Sequence, residues 1–194
     1  MATEPNSTPR AKSAEATKQA MLDAARKRFL LESYENVGLR DIAGDVGVDV
    51  ALISRYFGNK EALFSQVLHD SSKEDILPDH IQSQDMPGFL SDMFLSQDMD
   101  GNENVERLLI ILRSASSPTA SKIVSKAMRN DILVPFAERL GGNNSEMRAS
   151  TSMAVWMGMT IMRTIIAVDG MGDQTPEFEA KLNALFKAAL AETP

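Results

Sequence analysis

Apolar residues along this chain recur three and four positions apart, the spacing of helices that bury one face. Nowhere do they alternate with the period of two that a half-buried strand requires. Met21, Leu22, Ala25 and Phe29 mark the first such face, in a helix expected over 13–32, with Lys18, Arg26, Lys27 and Arg28 elsewhere on the wheel. Ile42, Ala43 and Val46 mark a short second helix, and Leu52, Ile53 and Tyr56 a third. Leu63, Phe64, Val67 and Leu68 mark a fourth, over 60–72. Further helices are expected over 89–96, 104–115 and 118–128, then one ending near Leu140, one over 145–168 and one over 176–191. Pro135 falls inside the helix that ends near Leu140 and should kink or divide it, because proline supplies no backbone N–H. Asn59, Ser117 before Pro118, Ser145, and Thr175 before Pro176 and Glu177 read as start signals. The sum is nine or ten helices without a sheet, an all-α chain.

Residues 38–64 carry the most specific local pattern. Gly47 stands where the chain must turn sharply, a place for positive φ. Val48 fills the angle after it, and Asp49 can accept from the amides that open the next helix. Two helices joined by a glycine turn form a helix-turn-helix, whose second helix enters the DNA major groove; the same spacing also serves an ordinary helical hairpin. In the DNA-binding reading Val50, Ala51 and Ser54 face the groove, the first two toward thymine methyl groups and Ser54 as a hydrogen-bonding group. Arg55 reaches a guanine edge, a phosphate, or an ion pair with Asp41 or Asp45; spacing leaves these open.

Ala14 to Phe64 resembles the N-terminal DNA-binding domain of the TetR family of bacterial transcriptional regulators. The matching residues are Met21, Ala24, Ala25, Phe29 and Tyr34, then Asp41-Ile42-Ala43, Val46-Gly47-Val48 and Arg55-Tyr56-Phe57, and finally Asn59 through Phe64. The resemblance implies a three-helix DNA-binding domain over 13–59, preceded by a disordered tail over 1–12 and followed by a ligand-binding and dimerisation domain over 60–194. It implies phosphate contacts from Tyr56 and Lys60, and from Arg40 on the second helix, which Gly38 and Leu39 open on the same surface. Gly38 stands where the family usually has Ser or Thr, Leu52 where Thr is common, and Ser54 where Tyr is common; the first two departures remove possible phosphate contacts, and the third changes what the recognition helix shows to bases, so the family does not give the operator sequence. The implied function is a transcriptional regulator, commonly a repressor, bound as a homodimer to a palindromic double-stranded operator with half-sites about 34–36 Å apart or a multiple of that. Release would follow binding of a small-molecule effector, with the helix over 60–72 carrying the movement.

The last two helices are the expected dimer interface. Met153, Trp156, Met157, Thr160, Ile161, Thr164, Ile165 and Val168 form a stripe too broad for one partner, faced by Leu182, Leu185, Phe186, Ala189 and Leu190. The alternative is that both faces pack within one chain. Ten of the twelve methionines lie between Met86 and Met171, where a flexible, polarizable side chain adapts a cavity to a bulky apolar or amphipathic molecule. Phe89, Met93, Leu109, Leu112, Met128, Ile132, Phe136, Trp156 and Met157 are the candidate lining, each equally a core residue, with Arg113 and Arg163 available to an anion.

Charge refines this picture. The net charge of −7 is wrong for a nucleic-acid binder only if it is evenly spread. Residues 1–68 hold nine basic and nine acidic residues, so the surplus belongs to 69–194, with eleven and eighteen. Arg10, Lys12, Lys18, Arg40, Arg55 and Lys60 are enough for a local basic face, and Arg10 and Lys12 suit a minor-groove arm or simply a solubilising tail. The absence of cysteine rules out disulfide and thiolate chemistry. No apolar run reaches the roughly 18 residues of a membrane span, and the N-terminus lacks an apolar core, so a cytoplasmic protein is expected. Asp98 through Glu103 lacks the pattern of a calcium loop, and His69 and His80 have no ligand spacing, so neither metal nor cofactor is expected. With no nucleophile elbow, phosphate loop or dinucleotide fingerprint, an enzyme is not expected.

Overall fold

The computed structural model describes residues 9–70, 81–96, 103–171 and 175–192. Among these residues there are ten α-helices and no strand. The helices are α1 (Pro9–Leu31), α2 (Leu39–Val46), α3 (Val50–Phe57), α4 (Lys60–Asp70), α5 (Met86–Leu95), α6 (Glu103–Ser114), α7 (Pro118–Ala127), α8 (Val134–Leu140), α9 (Ser145–Thr160) and α10 (Pro176–Leu190). The chain forms two compact units: 1–70 with 109–124, and 71–108 with 125–194. The division therefore falls after α4 rather than at 59/60, and it cuts α6 and α7.

In the first unit α1 packs on α2 and α4, and α3 packs on both α2 and α4. Phe29, Tyr34 and Phe64 form its centre, with ring centroids 4.8 Å apart for Phe29 and Phe64 and 5.0 Å for Tyr34 and Phe64, both edge-to-face. Such pairs add about 0.5–1.5 kcal/mol each beyond burial. Met21, Ala25, Ile42, Ile53, Leu63 and Leu68 are buried in the same unit. Ser117 caps α7, accepting from the Ala120 amide at 3.1 Å, and its hydroxyl donates to the Glu35 carboxylate.

The second unit packs α5 against α10, α10 against α9, and α9 against α8. Its core holds Met86, Leu90, Phe94, Ile132, Phe136, Met153, Trp156, Leu182, Phe186 and Leu190. Thr175 caps α10 as expected, accepting from the Phe178 amide at 3.2 Å.

Several boundaries differ from the sequence expectation. The first helix begins at Pro9, not Ser13, because proline suits the first turn, so residues 9–12 belong to it. For the same reason α5 begins at Met86, with Pro87 in its first turn, instead of Phe89. Asn144, in the left-handed region at φ 54°, precedes α9 in place of Ser145, which is its first helical residue. The helix also does not run unbroken to Val168: it passes into a π-helical stretch, Ile161–Ile165, closed by a five-residue hydrogen bond from the Ile166 amide to the Ile161 carbonyl at 2.9 Å. Pro135 sits in the first turn of α8 directly after a second π-helical stretch, Met128–Leu133, so the helix is divided there. The expected tail up to Thr8, the first half of the 73–88 connection and the turn at 98–102 lie outside the described residues.

Candidate nucleic-acid interface

The turn between α2 and α3 is built by three local interactions. Gly47 adopts φ 72°, and its amide returns to the Gly44 carbonyl at 3.2 Å, ending α2. Asp49 then starts α3: its carboxylate accepts from the Ala51 amide at 2.7 Å. At the far end Asn59 accepts from the Ala62 amide at 2.8 Å and starts α4. All three roles were readable from residue type, because each spans only a few positions.

With its ends fixed, α3 buries Ile53 and Phe57, one turn apart, on the side that packs on α2 and α4. Ala51, Ser54 and Arg55 are exposed on the other side, and Val50 and Tyr56 are half-buried at its edges. On α2, Arg40 is exposed, and Gly38 and Leu39 are half-buried. The sequence-selected residues of the two helices are thus accessible within one unit.

The electrostatics separate free cations from structural ones. Asp45 is held by Arg28 on α1, whose Nε and Nη2 donate to it at 2.7 and 2.8 Å. The hydrogen bond from Arg28 holds the Asp45 carboxyl below the ordinary value of 3.8, and the same bond raises Arg28. The alternative of an Arg55 pair with Asp45 is therefore replaced by this tie between α1 and α2. Among the described residues Arg40 and Arg55 form no ion pair. Lys60 is more constrained. Its ammonium lies 4.4 Å from the centre of the Tyr34 ring and donates to the Glu35 carbonyl at 3.4 Å, and burial lowers its pKa.

The residues expected to line an effector pocket divide. Phe89, Met93, Met128, Ile132, Phe136, Trp156 and Met157 gather in or against the second unit's core. Leu109 and Leu112 lie in the first unit, Leu112 being 39% exposed, so they do not belong to that group. Phe89 also borders an open groove of about 470 Å³ with Ile81, Asp85, Asp92, Asn183 and Lys187. Arg113 is exposed, and Arg163 donates to the Phe94 carbonyl at 2.6 Å, so neither is the spare interior cation that was expected. Arg107, which the sequence reading passed over, is buried.

The residues expected at the dimer interface are mostly internal. Met153, Trp156, Thr160, Thr164, Leu182, Phe186 and Leu190 are buried within the chain itself, Met157, Ile161, Ile165 and Ala189 are half-buried, and Leu185 and Val168 are exposed, at 43% and 38%. The stripe is broad because it serves the unit's own core.

Residues 21–67 match the family profile described as bacterial regulatory proteins, tetR family. Residues 92–189, half of the chain, match the profile of the tetracyclin repressor-like C-terminal domain. No curated protein matches the sequence. Among solved structures, the chain is similar to MexZ of Pseudomonas aeruginosa, described as a key repressor responsible for antibiotic resistance, with 18% identity, a TM-score of 0.60 and coverage of 93% of this chain and 97% of that one. It is also similar to NalD of the same organism, the secondary repressor of the MexAB-OprM multidrug efflux pump, with 13% identity, a TM-score of 0.58 and coverage of 91% and 95%. A TetR transcriptional regulator from Rhodococcus sp. RHA1 gives 16% identity, a TM-score of 0.55 and coverage of 92% and 97%. At these identities the likeness is one of fold. Among the described residues no helix is long and apolar enough to cross a membrane.

Proposed function

The chain belongs to the TetR family of bacterial transcriptional regulators, and we propose that it acts as a cytoplasmic repressor that grips a palindromic operator as a homodimer and is released by a small-molecule effector. The observation that carries this reading is α3, which buries Ile53 and Phe57 and leaves Ala51, Ser54 and Arg55 open to solvent. Those three present a methyl group, a hydroxyl and a guanidinium to base edges, while Arg40, Tyr56 and Lys60 fix the register on phosphates. Gly38 and Leu39 bring the backbone that opens α2 to the same surface. One such helix offers few contacts, which is why a twofold pair is needed.

The pairing surface we assign is the opposite side of the same two helices. On α9 and the π-helical stretch after it, Met147, Ser150, Thr151, Ala154, Gly158 and Met162 are exposed, with the charged Glu146 exposed beside them in the first turn. On α10, Ala184, Leu185 and Ala188 are exposed. Small residues of this kind let helices of two protomers approach closely and interdigitate.

Two measurements test the reading. Selection of bound fragments from genomic DNA should return an inverted repeat, and a gel-shift titration should show Arg40→Ala and Tyr56→Ala weakening every recovered sequence alike. Recovery of fragments without a shared repeat, or unchanged binding by both variants, refutes it.

A further inference from the structure

An arginine taken into a protein interior brings five N–H donors and a charge it does not readily shed, so its partners show what it is for. In the second unit Arg148 is fully engaged. Its Nε donates to the Asn143 carbonyl at 3.0 Å, Nη1 to the Leu190 carbonyl at 3.2 Å and Nη2 to the Gly141 carbonyl, which ties the start of α9 to the end of α10. Arg163 donates to the end of α5 and lies 5.1 Å from the Phe94 ring. Both are structural.

Arg107 on α6 differs. It is 3% exposed, yet among the described residues Nε, Nη1 and Nη2 all lack a hydrogen-bond partner. Its ion-pair partner, Asp131, stands 3.8 Å from Nη2, beyond hydrogen-bond distance, with its own side chain 19% exposed. Burial accordingly pulls the guanidinium below the ordinary arginine range, against the attraction of Asp131. A buried charge left in this condition is destabilising, and a fold that retains one needs a reason.

Two further groups of the second unit are in the same condition. Trp156 Nε1 and Thr160 Oγ1, one turn apart on α9, are also buried without a partner. The π-helical stretch carrying Asp131 packs against α9, and Ile132 beside Asp131 shares a core cluster with Trp156. Arginine and tryptophan side chains only donate, so Arg107 and Trp156 lack acceptors, and the Thr160 hydroxyl is able to donate to the same acceptor chemistry. Met93, Met128, Met157 and Met159, partly buried against the same core, provide an adaptable apolar wall.

We propose that the second unit recognises an oxyanion, the carboxylate or phosphate head of an effector with an apolar body, and that Arg107 is the residue that receives it. The head group forms the two-pronged pair that Asp131 is too distant to make. Asp131 competes for the same guanidinium, so the effector loosens α6 from the π-helical stretch between α7 and α8. This inference rests on reading the second unit as an effector-binding domain, and it names the chemistry of the effector.

Trp156 is the sole tryptophan of the chain and shares a core cluster with Ile132, the neighbour of Asp131, so its emission in the full-length protein reports on the second unit. Decanoate, decyl phosphate, methyl decanoate and decylammonium, each below its micellar concentration, are the probes. Decanoate or decyl phosphate should shift the emission saturably, and the tighter of the two identifies the head group. The ester and the ammonium should bind about tenfold more weakly or worse. Arg107→Met should lose the anion response while keeping an equal or higher melting temperature, because it removes a poorly compensated buried charge. Asp131→Asn should bind the anion more tightly. Equal affinity for decanoate and its methyl ester, an Arg107→Met protein that binds decanoate like wild type, or a lowered melting temperature in that variant would overturn the assignment. Operator binding, measured separately by gel shift without any probe, decides the regulator reading independently: its loss leaves the anion preference standing, and its presence does not rescue it.

Discussion

At the scale of single residues, what the sequence made legible is what a few neighbouring positions settle. Gly47, Asp49, Asn59, Ser117 and Thr175 act where their types placed them, because a cap or a left-handed turn is completed within about three residues. Removing the Asp49 cap with Asp49→Ala should destabilise the protein by about 1 kcal/mol in urea unfolding. Arg107 was not legible for a related reason. With Glu103 one turn before it, it reads as half of a solvated i,i+4 pair, and burial is a property of the packed unit rather than of the neighbourhood. Ala167 was equally silent. It takes φ 55°, and the Val168 amide returns to the Met162 carbonyl at 3.0 Å, the closing bond of a helix end that glycine normally provides. Ala167→Gly should therefore raise stability by up to about 1 kcal/mol, the left-handed strain relieved less the entropy of a more flexible unfolded chain. A lowered urea midpoint would contradict the strained geometry.

At the scale of helices, number and type were readable from periodicity, and faces were not. The apolar stripes of α9 and α10 were wide enough for two partners, and spacing alone could not say which side met the chain's own core. Packing decides it: Phe186 is fully buried and Leu185, its neighbour, is 43% exposed. The pair gives a clean contrast. Phe186→Ala should cost about 3–5 kcal/mol and unfold the second unit on mild heating. Leu185→Glu should leave the helix content unchanged by circular dichroism and shift the protein from dimer to monomer in light scattering. A Leu185→Glu dimer as stable as wild type places the pairing surface elsewhere. Between α1 and α2, the Arg28–Asp45 tie is pH-dependent. Because Asp45 is held below its ordinary 3.8, its contribution is complete above that value and vanishes as pH falls through the depressed one. Wild type and Asp45→Asn should thus differ in urea midpoint at neutral pH, more at low salt than high, and converge in acid.

At the scale of the whole molecule, the charge distribution shapes DNA binding as much as any contact does. The N-terminal 68 residues balance to zero and the remainder carries all of the −7, so attraction to phosphates is local, set by a few cations such as Arg40 and Arg55, while the bulk of the protein is repelled by DNA. Binding to random DNA should therefore be weak at physiological salt and specific binding only moderately salt-dependent. The slope itself counts protomers. Each phosphate neutralised contributes about −0.9 to the slope of log K against log salt. In a twofold dimer any substituted contact is lost twice, so Arg40→Ala should flatten that slope by about 1.8, and a monomeric complex would flatten it by about 0.9. If instead Arg40 only shields the duplex without touching a phosphate, the affinity falls slightly and the slope does not change. A salt titration of wild type and Arg40→Ala on one operator thus measures both whether α2 grips the backbone and how many copies of it do so.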